Sequence, residues 1–302
     1  MQSVLAPHGP EAQAVATLSW IMFGGGALIC LAVAVLVVLA TRGGAGARRV
    51  IASERFVVWS GIFFPIVVLA GLLTYGLVLT GGRIAPPSPG ALAIEVVGEQ
   101  WWWRVRYEPG SAQTFETANE LTIPVGRDVE LRLLSRDVIH SFWVPSLAGK
   151  VDMIPGTANR LRLHASRAGT YRGQCAEYCG GPHALMSFHV VALEPDAFEA
   201  WLAQQRKPAE SRTDGQAVFF KAGCNGCHTV RGTAAAGTIG PDLTHVAGRL
   251  TIAAATLPTS PASFGRWVRE NQHVKPGNKM PGFGFLSGGD VDLLASWLAS
   301  LK

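Results

Sequence analysis

The sequence predicts a multidomain membrane protein of three parts: a two-helix transmembrane hairpin, a small all-β domain and an all-α C-terminal domain. Two runs near the N-terminus, residues 14–40 and 56–80, contain no charged side chain, and about 20 apolar residues suffice to cross a hydrocarbon core. Between residues 91 and 204, short β-branched and aromatic runs recur between Gly and Pro, the spacing of a small antiparallel sandwich or barrel. From residue 213 the apolar pattern becomes helical. A composition of 48% apolar and 16% charged residues over 302 positions agrees with part of the chain lying in lipid.

Residues 1–13 carry no Lys or Arg and read as a polar tail. The first apolar run is longer than the core of a secretory signal and lacks its basic leader, so it reads as a span. Cys30 lies inside it as a packed apolar side chain. Residues 41–55 hold Arg42, Arg48, Arg49 and Arg55 against one acid, Glu54. The positive-inside rule puts this loop in the cytoplasm, and the N-terminus and everything after residue 80 outside, which in a bacterium is the periplasm. Pro65 interrupts the second run, as membrane helices tolerate.

Residues 81–90 are Gly- and Pro-rich and mark a boundary after the N-terminal unit of 1–90. The β domain then runs over 91–204, with strands expected at 94–107, 121–124, 129–134, 160–164 and 187–193, and a closing helix at 198–205. A polar linker at 205–212 leads to the helical domain at 213–302. There Asp214 caps a helix running toward Cys224, 263–271 is a second helix, and 289–301 is a third, with Leu293, Leu294, Trp297 and Leu298 at helical spacing.

Within the β domain stands Cys175-Ala-Glu-Tyr-Cys179-Gly-Gly-Pro-His183-Ala-Leu-Met186. Thiolate and thioether sulfur together with imidazole select copper. Gly173 and Gly180-Gly181-Pro182 keep the segment from being a regular helix, so the donors sit on a loop. The second Cys allows two thiolates to bridge two copper ions; the bland alternative is a structural Cys pair. A further imidazole should come from the rest of the frame, and His140, at a strand end 35 residues upstream in Asp-Val-Ile-His-Ser-Phe-Trp-Val-Pro, is the best candidate. His164 and His189 fall inside strand-like runs and read as structural.

In the tail, Cys224-Asn-Gly-Cys227-His228 is a c-type haem attachment motif: both thiols form thioethers and the His ligates iron. The adjoining His and the helical surroundings separate it from zinc or thioredoxin-like C-x-x-C sites. The stretch 213–302 resembles the small class I cytochromes c. That resemblance implies Met280, in Asn278-Lys-Met280-Pro-Gly, as the sixth iron ligand, with His245 and His273 as rivals. It also implies that the carbonyl of Pro241, in Gly240-Pro241-Asp-Leu, holds the proximal His.

At His140, Cys175, Glu177, Cys179, His183 and Met186, and in Gly98-Glu-Gln-Trp-Trp-Trp103 and Asp152 to Gly156, the chain resembles subunit II of the haem-copper cytochrome c oxidases over residues 14–204. The resemblance implies a cupredoxin-like Greek-key domain holding binuclear copper (CuA). Cys175 and Cys179 would bridge the pair, His140 and His183 would each bind one copper, and Met186 and the Glu177 carbonyl would be weak further contacts. It implies a Mg or Mn ion on the Glu177 carboxylate at the seam with subunit I, and Trp101 as the point where electrons come in. The family carries His and Tyr where this sequence has Glu99 and Trp102. Strand alternation would put Trp101 and Trp103 on one face and Trp102 on the other. Glu54 is the candidate for the family's glutamate at the mouth of a proton pathway, although its spacing to Trp59 and Pro65 departs from the usual pattern.

The fused cytochrome marks the caa-type branch. The implied role is electron input to a respiratory terminal oxidase that reduces oxygen and translocates protons. Subunit I and subunit III would be partners, and a cytochrome c or the preceding respiratory complex the donor. The alternatives are a CuA-containing nitric oxide reductase subunit and a free-standing membrane-anchored carrier. The net charge of +5 is uneven, 10 basic against 13 acidic side chains over 91–204 and 11 against 6 over 205–302. That pattern points to the two outer domains docking on each other by charge attraction, and away from nucleic acid.

Overall fold

The computed structural model describes residues 2–81, 90–210 and 213–302. Most of the predicted 81–90 linker and the end of the 205–212 linker lie outside the described residues. The chain divides into two units, residues 13–86 and the remainder.

The first unit holds the hairpin. Helix α1 (Pro10–Arg42) starts with Pro at a position where its missing N–H costs nothing. After α2 (Ala45–Ile51), the second apolar run forms α3 (Glu54–Val58), a π turn over Trp59–Phe63, and α4 (Phe64–Gly81). The widened turn has a cause: Pro65 has no N–H for the carbonyl four residues back and its ring crowds that carbonyl. Two stretches, Pro10–Arg42 and Glu54–Gly81, are long and apolar enough to cross a membrane. Their hydroxyls turn inward on their own helix, Thr17 to the Gln13 carbonyl at 2.9 Å and Thr74 to the Ala70 carbonyl at 2.8 Å, as backbone and side-chain polar groups in lipid must.

The β domain has ten strands: β1 (Leu92–Glu99), β2 (Trp102–Tyr107), β3 (Phe115–Ala118), β4 (Glu120–Pro124), β5 (Val129–Ser135), β6 (His140–Trp143), β7 (Val151–Met153), β8 (Asn159–Leu163), β9 (Gly169–Cys175) and β10 (Ser187–Leu193). They form two five-stranded sheets, ordered β3-β2-β1-β5-β8 and β4-β10-β9-β6-β7. The sandwich is not wholly antiparallel as its short runs suggest. β1 pairs parallel with β5, and β4 with β10, because the chain leaves one sheet and returns through the other before completing each. Trp103, Phe142 and Phe188 form the buried aromatic centre, with Phe142 and Phe188 stacked at 4.6 Å between centroids. Gly173 on β9 makes room for it, since a Cβ there would lie 2.2 Å from the Phe188 ring. Helix α5 (Pro195–Gln205) closes one end through Phe198 and Leu202.

The N-terminal tail is more than a polar overhang. His8 N–H donates to the Ser146 carbonyl at 2.7 Å, its own carbonyl accepts from Ser166 N–H at 2.8 Å, and its ring meets Tyr171. The tail and the β domain therefore belong to one packed unit.

The C-terminal domain packs α6 (Thr213–Lys221), α7 (Pro261–Val274) and α8 (Gly288–Leu298) around a second apolar core, with two two-stranded hairpins, β11/β12 (Thr229–Val230, Ala235–Ala236) and β13/β14 (Thr251–Ile252, Leu257–Pro258), that helical periodicity could not reveal. α7 and α8 start on Ser caps, Ser260 accepting from Ser263 N–H and Ser287 from Asp290 N–H, whereas Asp214, expected as a cap, lies in the first turn of α6. α6 crosses α8 at Gly215, where a Cβ would lie 2.2 Å from the Leu293 carbonyl. The described part of the 205–212 segment is tied down. Arg231 donates to the Gln205 carbonyl at 2.8 Å, Ala209 N–H to the Arg231 carbonyl at 2.9 Å, and His245 to the Lys207 carbonyl at 3.0 Å.

Candidate metal centres

The structure brings the copper-type donors together from three places: His140 opens β6, Cys175 ends β9, and Cys179, His183 and Met186 follow on the loop to β10. The donor atoms of His140, Cys175 and Cys179 all lie within 4.8 Å of one another. The Cys175 and Cys179 sulfurs are 3.8 Å apart. Cys175 Sγ is 3.9 Å from His140 Nδ1 and 3.2 Å from the Glu177 carbonyl oxygen, whereas Cys179 Sγ is 3.4 Å from His183 Nδ1 and 3.8 Å from Met186 Sδ. Each donor assigned to copper from the sequence thus lies beside one of the two sulfurs, His140 and the Glu177 carbonyl at Cys175, His183 and Met186 at Cys179. His140, Cys175, Cys179 and Met186 are buried.

The chemistry of the pair fits a bridged metal. The neighbouring Cys179 thiol, together with His140 and backbone donors, pulls the Cys175 thiol strongly down, and the adjacent Cys175 pushes Cys179 strongly up. Two like charges this close oppose each other, so one thiolate forms readily and the second needs a cation between them.

His140 is aimed. Its Nε2 meets Asp137 Oδ1 at 2.9 Å, leaving Nδ1 toward the sulfurs, while Asp137 Oδ2 accepts from Gln100 N–H at 2.7 Å. Gly98 lies directly beneath the ring, where a Cβ would be 2.7 Å from its Cδ2. Sequence reasoning quoted Asp137 and Gly98 inside motifs without giving them a role, because the strand register that stacks β1 under His140 is not local.

Trp101 sits in the turn before β2 and not on the strand, so the expected alternation with Trp103 does not hold; Trp103 is core. The Trp101 indole N–H and the Gln100 amide both donate at 2.9 Å to the Cys179 carbonyl. Trp102 is covered by the Arg104 guanidinium at 4.6 Å, and Glu99 pairs with Arg104 at 2.6 Å. The Glu177 carboxylate is 3.7 Å from Lys150, which also holds Asp152 at 3.0 Å. His164 pairs with Asp128 at 2.9 Å and His189 lies 3.3 Å from Thr251, both away from the sulfurs.

In the C-terminal domain, Cys224 opens a 3-10 turn and His228 follows with its N–H on the Cys224 carbonyl at 3.0 Å, so the whole motif lies in one tight turn. His228 Nδ1 donates to the Pro241 carbonyl at 2.8 Å, leaving Nε2 free for iron. Enclosure holds this imidazole below the usual histidine range, which favours the neutral form a ligand needs. Gly240 admits the ring, since a Cβ there would lie 2.5 Å from its Cε1. Met280 is half-buried after α7, its N–H on Asn278 Oδ1 at 3.0 Å. Of its rivals, His245 is buried on the Lys207 carbonyl and His273 is exposed on α7. The residues present fit a covalent haem.

Comparisons with known proteins agree with both halves. The family described as cytochrome c oxidase subunit II, periplasmic domain, matches residues 105–193, and the cytochrome c family matches residues 213–302. The chain is 37% identical over 244 residues to cytochrome c oxidase subunit 2 of Alkalihalophilus pseudofirmus, covering 78% of this chain and 70% of that protein. It is 30% identical over 270 residues to the Bacillus subtilis protein of the same name, covering 82% and 74%. The crystal structure of the periplasmic domain of subunit II of cytochrome oxidase from Bradyrhizobium japonicum aligns with a TM-score of 0.37 at 29% identity, over 41% of this chain and 97% of that one.

Proposed function

The chain belongs to the cytochrome c oxidase subunit II family, and on that premise we propose that it is the electron-input subunit of a caa-type respiratory oxidase. Electrons from an outside donor would pass by way of haem c and binuclear CuA to the haem of subunit I, where oxygen is reduced and protons are moved. When bound, the two groups supply one-electron redox chemistry that no side chain here provides.

The chain's own residues do the holding and aiming. Cys175 and Cys179 offer two sulfurs to share between two coppers, His140 and His183 one imidazole on each side, and Met186 and the Glu177 carbonyl weaker contacts. Asp137 fixes the His140 ring. Cys224 and Cys227 would tether haem, His228 and Met280 would be its iron ligands, and the Pro241 carbonyl orients His228. Trp101, bonded to the Cys179 carbonyl, is the protein link on the donor side. The arginine-rich loop of the hairpin lies in the cytoplasm, with both outer domains in the periplasm. The Glu177 carboxylate would take a Mg or Mn ion at the subunit I seam, and subunit III would complete the complex.

The observation that carries the reading is a pair of buried sulfurs 3.8 Å apart, with the His140 imidazole beside Cys175 and the His183 imidazole beside Cys179. An EPR spectrum and metal analysis of the purified complex test it: a mixed-valence copper signal beside low-spin haem c supports it, and copper-free protein of normal fold refutes it. Replacing Glu54 with Gln tests the proton-pathway role separately, since unchanged turnover and pumping remove it.

A further inference from the structure

The β domain and the C-terminal domain meet, and the contact falls on the copper loop. Lys275 ends α7 and is 2% exposed. Its ammonium donates to the Trp101 carbonyl at 2.6 Å and the Leu185 carbonyl at 2.8 Å on the β domain, and lies 3.5 Å from the Ala253 carbonyl on its own domain. An ammonium has three protons and no acceptor capacity, so a buried one must find three acceptors. Here two of the three belong to the other domain.

A second element reaches the same segment. Ala253, Ala254 and Ala255 all have left-handed backbone, with φ of 55°, 59° and 61°. Residues with a Cβ rarely adopt that conformation. The turn it makes between β13 and β14 presents the Ala254 carbonyl to Ser187 N–H at 3.3 Å, one residue after Met186. Lys279, next to Met280, reaches Asp137 Oδ2 at 3.4 Å, the carboxylate that aims His140. Leu250 N–H donates to Glu120 at 2.9 Å and Arg104 to the Thr238 carbonyl at 3.0 Å, widening the contact.

We propose that Lys275 and the Ala253–Ala255 turn form an interdomain latch that seats the Met280 loop on the copper loop and closes the Trp101 face to outside proteins. It rests on the proposed function and adds to it the residues that would hold the chain's own haem domain over the place where an external donor would reach copper. It stands beside the expectation of docking by charge attraction, to which the Lys279–Asp137 pair belongs. The Lys279–Asp137 pair is the exposed, salt-screened part of the contact; the buried carbonyl clamp is not screened.

The test uses the purified complex. In the wild type, lysine acylation read by peptide mass spectrometry should modify Lys275 at least about tenfold more slowly than the exposed Lys221 and Lys302. Equal labelling overturns the latch, and this readout needs neither cofactor nor activity. In Lys275→Met, with haem and copper spectra unchanged, haem-to-copper transfer should slow by about tenfold as the seated geometry is lost, and a reduced soluble cytochrome should begin to reduce copper directly. A transfer rate within about twofold of wild type overturns the latch. If Lys275→Met does not assemble, the acylation result decides alone. Absence of the copper or haem signal in the wild type would instead refute the functional reading, with the latch still judged by labelling.

Discussion

The two candidate centres are built in opposite ways. Cys224, Cys227 and His228 lie within five consecutive residues, and the haem they fit is joined by covalent bonds. The copper donors come from β6, the end of β9 and the following loop, with His140 and Met186 46 positions apart in the chain, and nothing but coordination would hold the metal. Their thiols differ accordingly. Burial pushes the Cys224 thiol up to about 11, whereas Cys175 is drawn the other way by its neighbours. The first centre is written in a local motif; the second exists only when two sheets are assembled, and its geometry depends on the fold around it.

The largest expected effects separate the centres outright. Cys224→Ala should remove the covalent haem seen on a denaturing gel and leave the copper EPR signal in place. Cys179→Ser should do the reverse, abolishing the mixed-valence signal, because the remaining thiolate cannot bridge two ions with the same donor set. If either change removes both groups, the independence of the two centres is wrong.

A smaller effect should follow from Asp137→Asn. The carboxylamide keeps the shape but loses the charge that favours the His140 orientation, and supporting groups of this kind are worth about 10–100-fold in metal affinity. Copper retention during dialysis against a chelator measures this. Haem content should not change, since among the described residues Asp137 meets the haem domain through the exposed Lys279 ammonium.

What could be read from the sequence follows the same division. The spans were legible because lipid demands long uncharged runs, and the observed helices Pro10–Arg42 and Glu54–Gly81 contain both of them. The donors Cys175 to Met186 were legible because a loop keeps them together. His140 was reachable because it opens a strand in a distinctive segment. What stayed hidden is what pairing creates: the parallel β1/β5 and β4/β10 ladders, the docking of the N-terminal tail on Ser146 and Ser166, and the displacement of Trp101 from its strand into the turn. Lys275 stands in no motif of the sequence, and only the fold shows it buried.

Two glycines give the finest comparison, because each lies under the histidine of one centre. A Cβ at Gly98 would come within 2.7 Å of His140 Cδ2, and one at Gly240 within 2.5 Å of His228 Cε1. Overpacking of this kind costs typically about 1–3 kcal/mol, so Gly98→Ala and Gly240→Ala should both lower the thermal midpoint measured by calorimetry. Their effects on the bound groups should differ. His140 is fully buried and pinned to Asp137, so the Gly98→Ala ring can relieve the clash only by leaving the sulfurs, and copper should be lost. His228 in Gly240→Ala is displaced from the Pro241 carbonyl, yet Cys224 and Cys227 still carry the haem. That variant should keep its full haem content and lose the low-spin absorption spectrum. Loss of haem from Gly240→Ala, or full copper in Gly98→Ala, would mean that the contrast between a covalently held and a fold-held centre is drawn in the wrong place.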